Sequence, residues 1–186
     1  INLNNRLDDE GFSQVKVISP ECFRVDSDNP SKSTTNYVNT MFEDPNVFQA
    51  VDIVATHPYQ SSVTQDQWSN LKDASLEKPI WVTEAGNLGS PYTNMADASY
   101  HIERIIDGFN HGGLTAYMFH LFYEQHDYDN EISSSALVLW DSNNNILLPK
   151  RYYVFKHFAN LVKGGYQRIH SSGFDNDLKI IAFKSD

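Results

Sequence analysis

Carboxylate, imidazole and phenol side chains follow several short apolar runs in this sequence, and such groups perform acid–base and nucleophilic chemistry. Glu84 follows the β-prone run Ile80-Trp81-Val82, which Pro79 introduces. A charged residue at the end of a buried strand is where an α/β barrel keeps its catalytic groups. The same carboxylate could instead cap the strand or pair with a neighbouring arginine, and this stretch alone leaves both interpretations open.

Polar side chains also stand at the ends of the other apolar runs. In chain order the group comprises Glu21, His57, Tyr59, Glu84, His120, Tyr123 and Glu124. Because parallel strands bring their carboxyl ends to one edge of a sheet, we expect these side chains on one rim. There His57 could hydrogen-bond a substrate or hold Glu84, and Tyr59 could orient that carboxylate. A histidine satisfied by its neighbours on the rim is the competing interpretation of His57.

Aromatic residues accompany these polar groups, and the combination suits a sugar, whose ring stacks on aromatic faces while its hydroxyls hydrogen-bond. Tyr123 and Trp140 lie near loops and are candidate platforms, whereas Trp81 lies inside a strand and is predicted to be core. The candidate substrate-binding residues are therefore Glu21, His57, Tyr59, His120, Tyr123 and Trp140. A glycosidase needs two carboxyl groups across the scissile bond, about 5–5.5 Å apart in a retaining enzyme.

A metal site is the alternative use of the polar cluster that begins at His120. Glu124, His126 and Asp127 follow it in the sequence. Loop spacing of this kind, without a supporting shell of hydrogen bonds, is a weak signal for a metal. We predict that the protein uses no metal and no cofactor.

Composition and charge exclude several classes of partner. The chain of 186 residues is 40% hydrophobic and 13% aromatic, which is enough for a packed core, and its formal net charge is −10. That charge argues against nucleic acid and against an anionic membrane surface, and it is compatible with a neutral polysaccharide. The single cysteine, Cys22, excludes an internal disulfide.

Apolar periodicity predicts an alternation of strands and helices. Strands are predicted at 15–19, 51–56, 80–82, 114–122, 136–140, 166–170 and 178–183, and helices near 1–12 and at 35–42, 46–50, 67–75, 95–110 and 151–162. Such alternation predicts an α/β fold, with a parallel sheet and helical crossovers. Four β/α units are half of a (β/α)8 barrel, which takes about 200–250 residues when complete.

The motifs at the strand ends resemble clan-A glycoside hydrolases, most closely glycoside hydrolase family 30. Val17-Ile18-Ser19-Pro20-Glu21 resembles the fifth barrel strand, the segment 52–59 with His57-Pro58-Tyr59 the sixth, and Trp81-Val82-Thr83-Glu84 the seventh. The segment 149–169 resembles the passage from the last barrel helix into the family's β-sandwich. The resemblance covers nearly the whole chain, and four motifs occur in the right order.

The resemblance implies a domain organisation. Residues 1–163 would form the C-terminal half of a TIM barrel, strands 5–8, and residues 164–186 the start of a β-sandwich side domain. Dimerisation or a separate N-terminal half-barrel chain would complete the barrel, because a half barrel leaves its sheet edges open to pairing.

The resemblance also implies an activity. The family's members are retaining hydrolases of β-linked glycans, so we expect Glu84 to be the nucleophile and xylan to be the first substrate, with the protein secreted or at the cell surface. The family's proton donor follows an asparagine, and no Asn-Glu-Pro element occurs here. Glu124 from a second copy is a speculative replacement, and Glu21 in the same chain is a second candidate. The alternative function is a catalytically inactive fragment or pseudoenzyme that binds glycan or completes a barrel.

Overall fold

The structure, a computed structural model, describes residues 2–86, 94–125, 135–171 and 178–185. The chain divides into two compact units. The first consists of Ile1–Glu84 and His111–Met118, and the second of Ala85–Asn110 and Phe119–Asp186.

Helices and strands alternate through the first two thirds of the chain. The helices are α1 (Asn2–Asp9), α2 (Thr34–Met41), α3 (Pro45–Ala50), α4 (Gln65–Ala74), α5 (Met95–His111) and α6 (Lys150–Leu161), with a 3-10 turn at Pro30–Lys32. The strands are β1 (Ile18–Cys22), β2 (Ile53–Thr56), β3 (Ile80–Val82), β4 (Leu114–Tyr117), β5 (Tyr123–Gln125), β6 (Val138–Trp140), β7 (Ile146–Leu147), β8 (Gln167–Ile169) and β9 (Ala182–Lys184). Within the described ranges, no helix has both the length and the apolar character needed to cross a bilayer.

The first unit contains a four-stranded parallel sheet in the order β1-β2-β3-β4. Its strands are short, all four residues of β2 are buried, and β3 consists of the apolar residues Ile80, Trp81 and Val82. Sheets with covered faces have this composition. The α/β prediction with a parallel sheet is confirmed. Because the strands run the same way, the segments that follow them gather at one edge of the sheet.

Helices α2 and α4 have local start signals in the sequence. The side chain of Ser33 accepts a hydrogen bond from the Asn36 N–H at the start of α2, and Thr64 and Gln67 form a capping box at the start of α4. Both helices then bury apolar side chains in the first unit, with Val38 and Leu71 fully inaccessible to solvent. The caps fix where the helices begin, and burial of the apolar side chains stabilises them.

The predicted bounds of three strands were wrong. β9 covers Ala182–Lys184 and not 178–183. β1 begins at Ile18 instead of Val15, because the Val17 N–H donates to the Asp52 carboxylate at 2.8 Å and not to a neighbouring strand. β4 ends at Tyr117 instead of Phe122. The carbonyl of Phe122 accepts a hydrogen bond from the Val138 N–H, so the end of this apolar run pairs in a different sheet.

The second unit carries two small sheets. In the first, β5 pairs with β6 in parallel and β6 with β7 in antiparallel fashion, so that Tyr123 lies opposite Val138 and Gln125 opposite Trp140. In the second, β8 and β9 form an antiparallel pair. A two-stranded sheet is marginal alone. The ring of Phe183 at β9 contacts Phe109 of α5 at a centroid distance of 5.7 Å, and this contact anchors the pair to the helices.

Buried charges connect the helices of the second unit. Arg151, at the start of α6, is 1% exposed, donates from Nη1 to Asp97 of α5 at 2.8 Å and from Nε to the carbonyl of Ala136 at 2.8 Å. On the same face of α5, His101 lies 3.5 Å from Asp97 and packs against the Phe119 ring. Burial alone would raise the pKa of Asp97, but hydrogen bonds from His101 and Arg151 outweigh it and lower that pKa.

We expect Arg151→Met to lower the free energy of unfolding by about 3–5 kcal/mol, because it leaves the Asp97 carboxylate buried without its guanidinium partner. Urea denaturation measures the change. The matched control is Lys179→Met, which removes the more exposed ion pair with Asp107 and is expected to cost about 1 kcal/mol or less. Equal losses in the two variants would contradict the prediction.

A second prediction concerns the pH dependence of stability. Burial lowers the pKa of His101, since the charged ring is poorly solvated there; Asp97 opposes this effect, while Arg104 and Arg151 add to it. The folded pKa is therefore below the unfolded value of about 6.5, so the contribution to stability is complete above that pH and is lost as the pH falls through the lowered value. The urea midpoint should fall between pH 7 and pH 5.

The variant His101→Phe should show a smaller fall in the urea midpoint over this range, because the ring that titrates is gone. His157→Phe is the control, since His157 lies exposed on α6. The same slope in His101→Phe and in the unmodified protein would show that another group dominates the pH dependence.

Candidate active site

Glu84 follows β3 at the edge of the sheet where the carboxyl ends of the strands meet, and both of its carboxylate oxygens have neighbours. Oε1 accepts a hydrogen bond from the Tyr59 hydroxyl at 2.6 Å, and Oε2 lies 3.6 Å from Nδ1 of His57. The side chain remains 32% exposed. Glu84 is therefore an oriented carboxylate that solutes can still reach.

Tyr59 and His57 are placed by backbone pairing beyond the end of β2. The His57 N–H donates to the carbonyl of Cys22 at 2.8 Å, and the Tyr59 N–H donates to that of Phe23 at 3.2 Å. Residues two apart in extended chain point to the same side. The two rings consequently meet edge to face, with centroids 5.9 Å apart, and both turn towards Glu84.

The Tyr59 hydroxyl is a permanent donor. Burial raises the pKa of this phenol well above its usual value, and the Glu84 carboxylate raises it further, because a phenolate beside a carboxylate would repel it. Tyr59 therefore keeps its proton over the pH range in which proteins are folded, and it donates a hydrogen bond to one oxygen of Glu84.

Glu21 contacts the same cluster from β1. Its Oε2 lies 2.7 Å from Nε2 of His57 and accepts a hydrogen bond from the Thr83 hydroxyl. The pairing of β1 with β2 shifts register between Pro20 and Cys22, so Glu21 occupies a bulge. Bulges beside active sites often redirect a side chain.

Two members of the cluster were not predicted from the sequence. Thr83 precedes Glu84 and reads as a polar stop to the strand, although its hydroxyl contacts Glu21. Phe23 lies with its ring centroid 5.1 Å from that of Tyr59 and is 43% exposed. Its position two residues after Glu21 at a strand end was the available signal. Phe23 and Tyr59 together present an aromatic surface beside the carboxylate.

The remaining predicted site residues lie in the second unit. The His120 N–H donates to the carbonyl of Ala85 at 2.7 Å, and a side chain at Gly86 would overlap the His120 carbonyl, which explains the glycine there. Glu124 lies on β5 opposite Leu139 of β6.

Tyr123 and Trp140 contact each other, as a shared platform requires. Their ring centroids are 5.2 Å apart with planes inclined by 33°, and Tyr123 is 61% exposed. The geometry offers a broad aromatic face on the small sheet β5-β6-β7. Its use for stacking a sugar remains a prediction.

The metal alternative receives no geometric support within the described ranges, where no three His, Cys, Asp or Glu side chains converge as ligands. His126 and Asp127, which the sequence suggested as ligands, lie outside the described residues. The cluster around Glu84 instead consists of an accessible carboxylate with a fixed donor on one oxygen and an imidazole beside the other, an arrangement that suits acid–base or nucleophilic chemistry.

This chain is similar to known proteins in sequence and in fold. Residues 5–147 match the family model described as the glycosyl hydrolase catalytic core. Glucuronoxylanase XynC of Bacillus subtilis (strain 168) is 25% identical over 183 residues, which cover 95% of this chain and 38% of that protein. The chain therefore spans less than half the length of this relative.

Solved structures share the fold. A GH30 endoxylanase from Clostridium papyrosolvens C71 superposes with a TM-score of 0.66 at 19% identity, over 99% of this chain and 42% of that one. The endo-β1,6-glucanase BT3312 superposes with a TM-score of 0.76 at 21% identity, over 98% of this chain and 42% of that one. The resemblance to glycoside hydrolase family 30 is confirmed.

Proposed function

This chain belongs to the glycosyl hydrolase catalytic core family, and we propose that it takes part in retaining hydrolysis of a β-linked polysaccharide with Glu84 as the nucleophile. The observation that carries the proposal is the Glu84 carboxylate at the end of β3, bound by the Tyr59 hydroxyl at 2.6 Å and reachable from solvent. A hydrogen bond to one oxygen leaves the lone pairs of the other available for attack.

The proposed reaction has two displacements. In the first, Oε2 of Glu84 bonds to the anomeric carbon, the glycosidic C–O bond breaks, and an acid supplies the proton that the leaving oxygen needs. In the second, water loses a proton to the conjugate base of that acid and displaces Glu84, so the anomeric configuration is retained. Tyr59 holds Oε1 during both steps, and His57 faces Oε2 from the side.

We propose xylan as the first substrate to test. The proposed activity is that of an endo-β-1,4-xylanase, which cleaves β-1,4 linkages inside the polysaccharide. The relative named glucuronoxylanase supports this choice, and the endo-β1,6-glucanase among the similar structures makes β-1,6-glucan the comparison substrate. In the first unit, Phe23 and Tyr59 offer an aromatic surface, with Glu21 and His57 as hydrogen-bonding groups. In the second, Tyr123 and Trp140 offer a platform, with His120 as a further contact.

We further propose that β1 to β4 correspond to strands 5–8 of a (β/α)8 barrel over residues 1–163, and that residues 164–186 begin a β-sandwich side domain. The sequential parallel order of the strands supports the first part, since a barrel repeats this order. The antiparallel pair β8–β9 supports the second. A polysaccharide is too large to enter a cell, so we place the protein outside it.

The mechanism also needs an acid that donates a proton to the leaving oxygen, and this residue is still to be assigned. We propose Glu124 from a second copy, closing a barrel by twofold symmetry, as this donor. The sequence placed Glu124 at the end of the last parallel strand, whereas the structure places it within β5, in a different sheet from β4. A separate N-terminal half-barrel chain is the other source of a donor.

Glu84→Ala is expected to lower kcat on glucuronoxylan by about 10³-fold or more, because it removes the nucleophile. Added azide should restore turnover of an activated aryl xyloside and give a glycosyl azide of inverted configuration. Glu43→Ala, on the exposed surface at the end of α2, is the control for an ordinary carboxylate. Binding of xylan without release of reducing ends by the unmodified protein would replace the proposal with the non-catalytic alternative.

Glu124→Gln is expected to lower kcat by about 10²-fold if this carboxylate donates the proton, since general acid catalysis contributes about 10²–10⁴-fold. Light scattering should then give the molar mass of a dimer. Activity equal to that of Glu103→Gln, an exposed carboxylate on α5, would exclude Glu124 as the donor.

A further inference from the structure

We infer that Glu21 is a positioning residue for the nucleophile, acting through His57. Glu21 holds the imidazole by Nε2, and the ring in turn presents Nδ1 to Oε2 of Glu84. The inference rests on the proposed function, because it concerns the carboxylate assigned there as the nucleophile. It gives Glu21 a role distinct from contact with substrate.

The backbone at Glu21 is the first support for this role. Its φ is +63°, in the left-handed region, which is unfavourable for a residue with a Cβ. The strand resumes pairing immediately afterwards, where the Cys22 carbonyl accepts the His57 N–H at 2.8 Å. The bulge thus turns the Glu21 carboxylate towards the imidazole of His57. The backbone N–H of His57 is bound by the neighbouring residue of β1, Cys22.

The contacts of the carboxylate are the second support. An ionised carboxylate only accepts, so Nε2 of His57 is the donor at 2.7 Å and the Thr83 hydroxyl donates to the same oxygen. Two donors on one oxygen fix the carboxylate, and the fixed carboxylate prevents the ring from flipping. The Glu21 side chain is 40% exposed, so these two hydrogen bonds lie at an edge of the sheet that solvent can reach.

The orientation of the His57 ring affects Glu84 through the second ring nitrogen, Nδ1. With Nε2 held by Glu21, Nδ1 lies 3.6 Å from Oε2, while the Tyr59 hydroxyl holds Oε1 at 2.6 Å. The Glu84 carboxylate therefore lies between a phenol that donates to one oxygen and an imidazole that faces the other. Holding a nucleophile in its attack geometry contributes to kcat, since a misplacement of about 1 Å costs about 10²-fold.

The first arm of the test is spectroscopic and needs no activity. Histidine ring 1H–15N spectra of the full chain, with His57→Gln to assign the signals, should contain a slowly exchanging Nε2 proton on His57. Glu21→Ala should lose this signal to exchange with water. Glu21→Gln, which keeps an acceptor oxygen, and Glu43→Ala should retain it.

The second arm is kinetic. Glu21→Ala should lower kcat on glucuronoxylan by about 10- to 100-fold with KM within about 3-fold, and Glu21→Gln should recover most of the loss. If Glu21→Ala does not fold, Glu21→Asp replaces it in both arms, because the shorter side chain keeps the charge but withdraws from Nε2.

The outcomes separate the two proposals. A His57 signal that persists in Glu21→Ala or Glu21→Asp, or that is absent from the unmodified protein, overturns the positioning role. So does an active protein whose kcat falls no further in Glu21→Ala than in Glu43→Ala. A protein without glycosidase activity contradicts the proposed function, and the spectra alone then decide whether Glu21 holds His57.

Discussion

The candidate site depends on backbone pairing that continues past the named strands. β1 and β2 are short, yet the hydrogen bonds from the His57 and Tyr59 N–H groups to the carbonyls of Cys22 and Phe23 extend their alignment into the segments that follow. Without this extension, His57 and Tyr59 would lie on an unsupported loop. With it, the parallel sheet fixes two side chains against Glu84 at the end of β3, and a rigid support is what a catalytic group requires.

The two units stabilise their carboxylates in different ways. Around Glu84 the carboxylates are partly exposed, and each is bound by neutral or titratable donors: a phenol, an imidazole and a hydroxyl. In the second unit Asp97 is fully buried and is balanced by Arg151, which carries a permanent charge. The first arrangement leaves a carboxylate available for chemistry, whereas the second ties two helices together.

Local signals explain which features could be predicted from the sequence. The caps at Ser33 and Thr64 and the apolar spacing on α5 are encoded within one or two helical turns, so those helices lie close to their predicted bounds. The meeting of Tyr59 with Glu84 follows from parallel strand ends. The bulge at Glu21, the role of Thr83 and the early end of β4 depend on register between distant segments, which residue types do not reveal.

The left-handed backbone at Glu21 also limits how this position can vary in evolution. Glycine or asparagine would relieve the conformational cost, but glycine has no side chain and that of asparagine is one methylene shorter than glutamate, so neither replaces the contact with His57. The backbone conformation at position 21 thus favours glycine or asparagine, whereas the contact with His57 favours glutamate. Glutamate makes that contact at the cost of an unfavourable φ. A substitution here would remove the acceptor of both His57 and Thr83, so it is expected to be tolerated best together with a change at one of those positions.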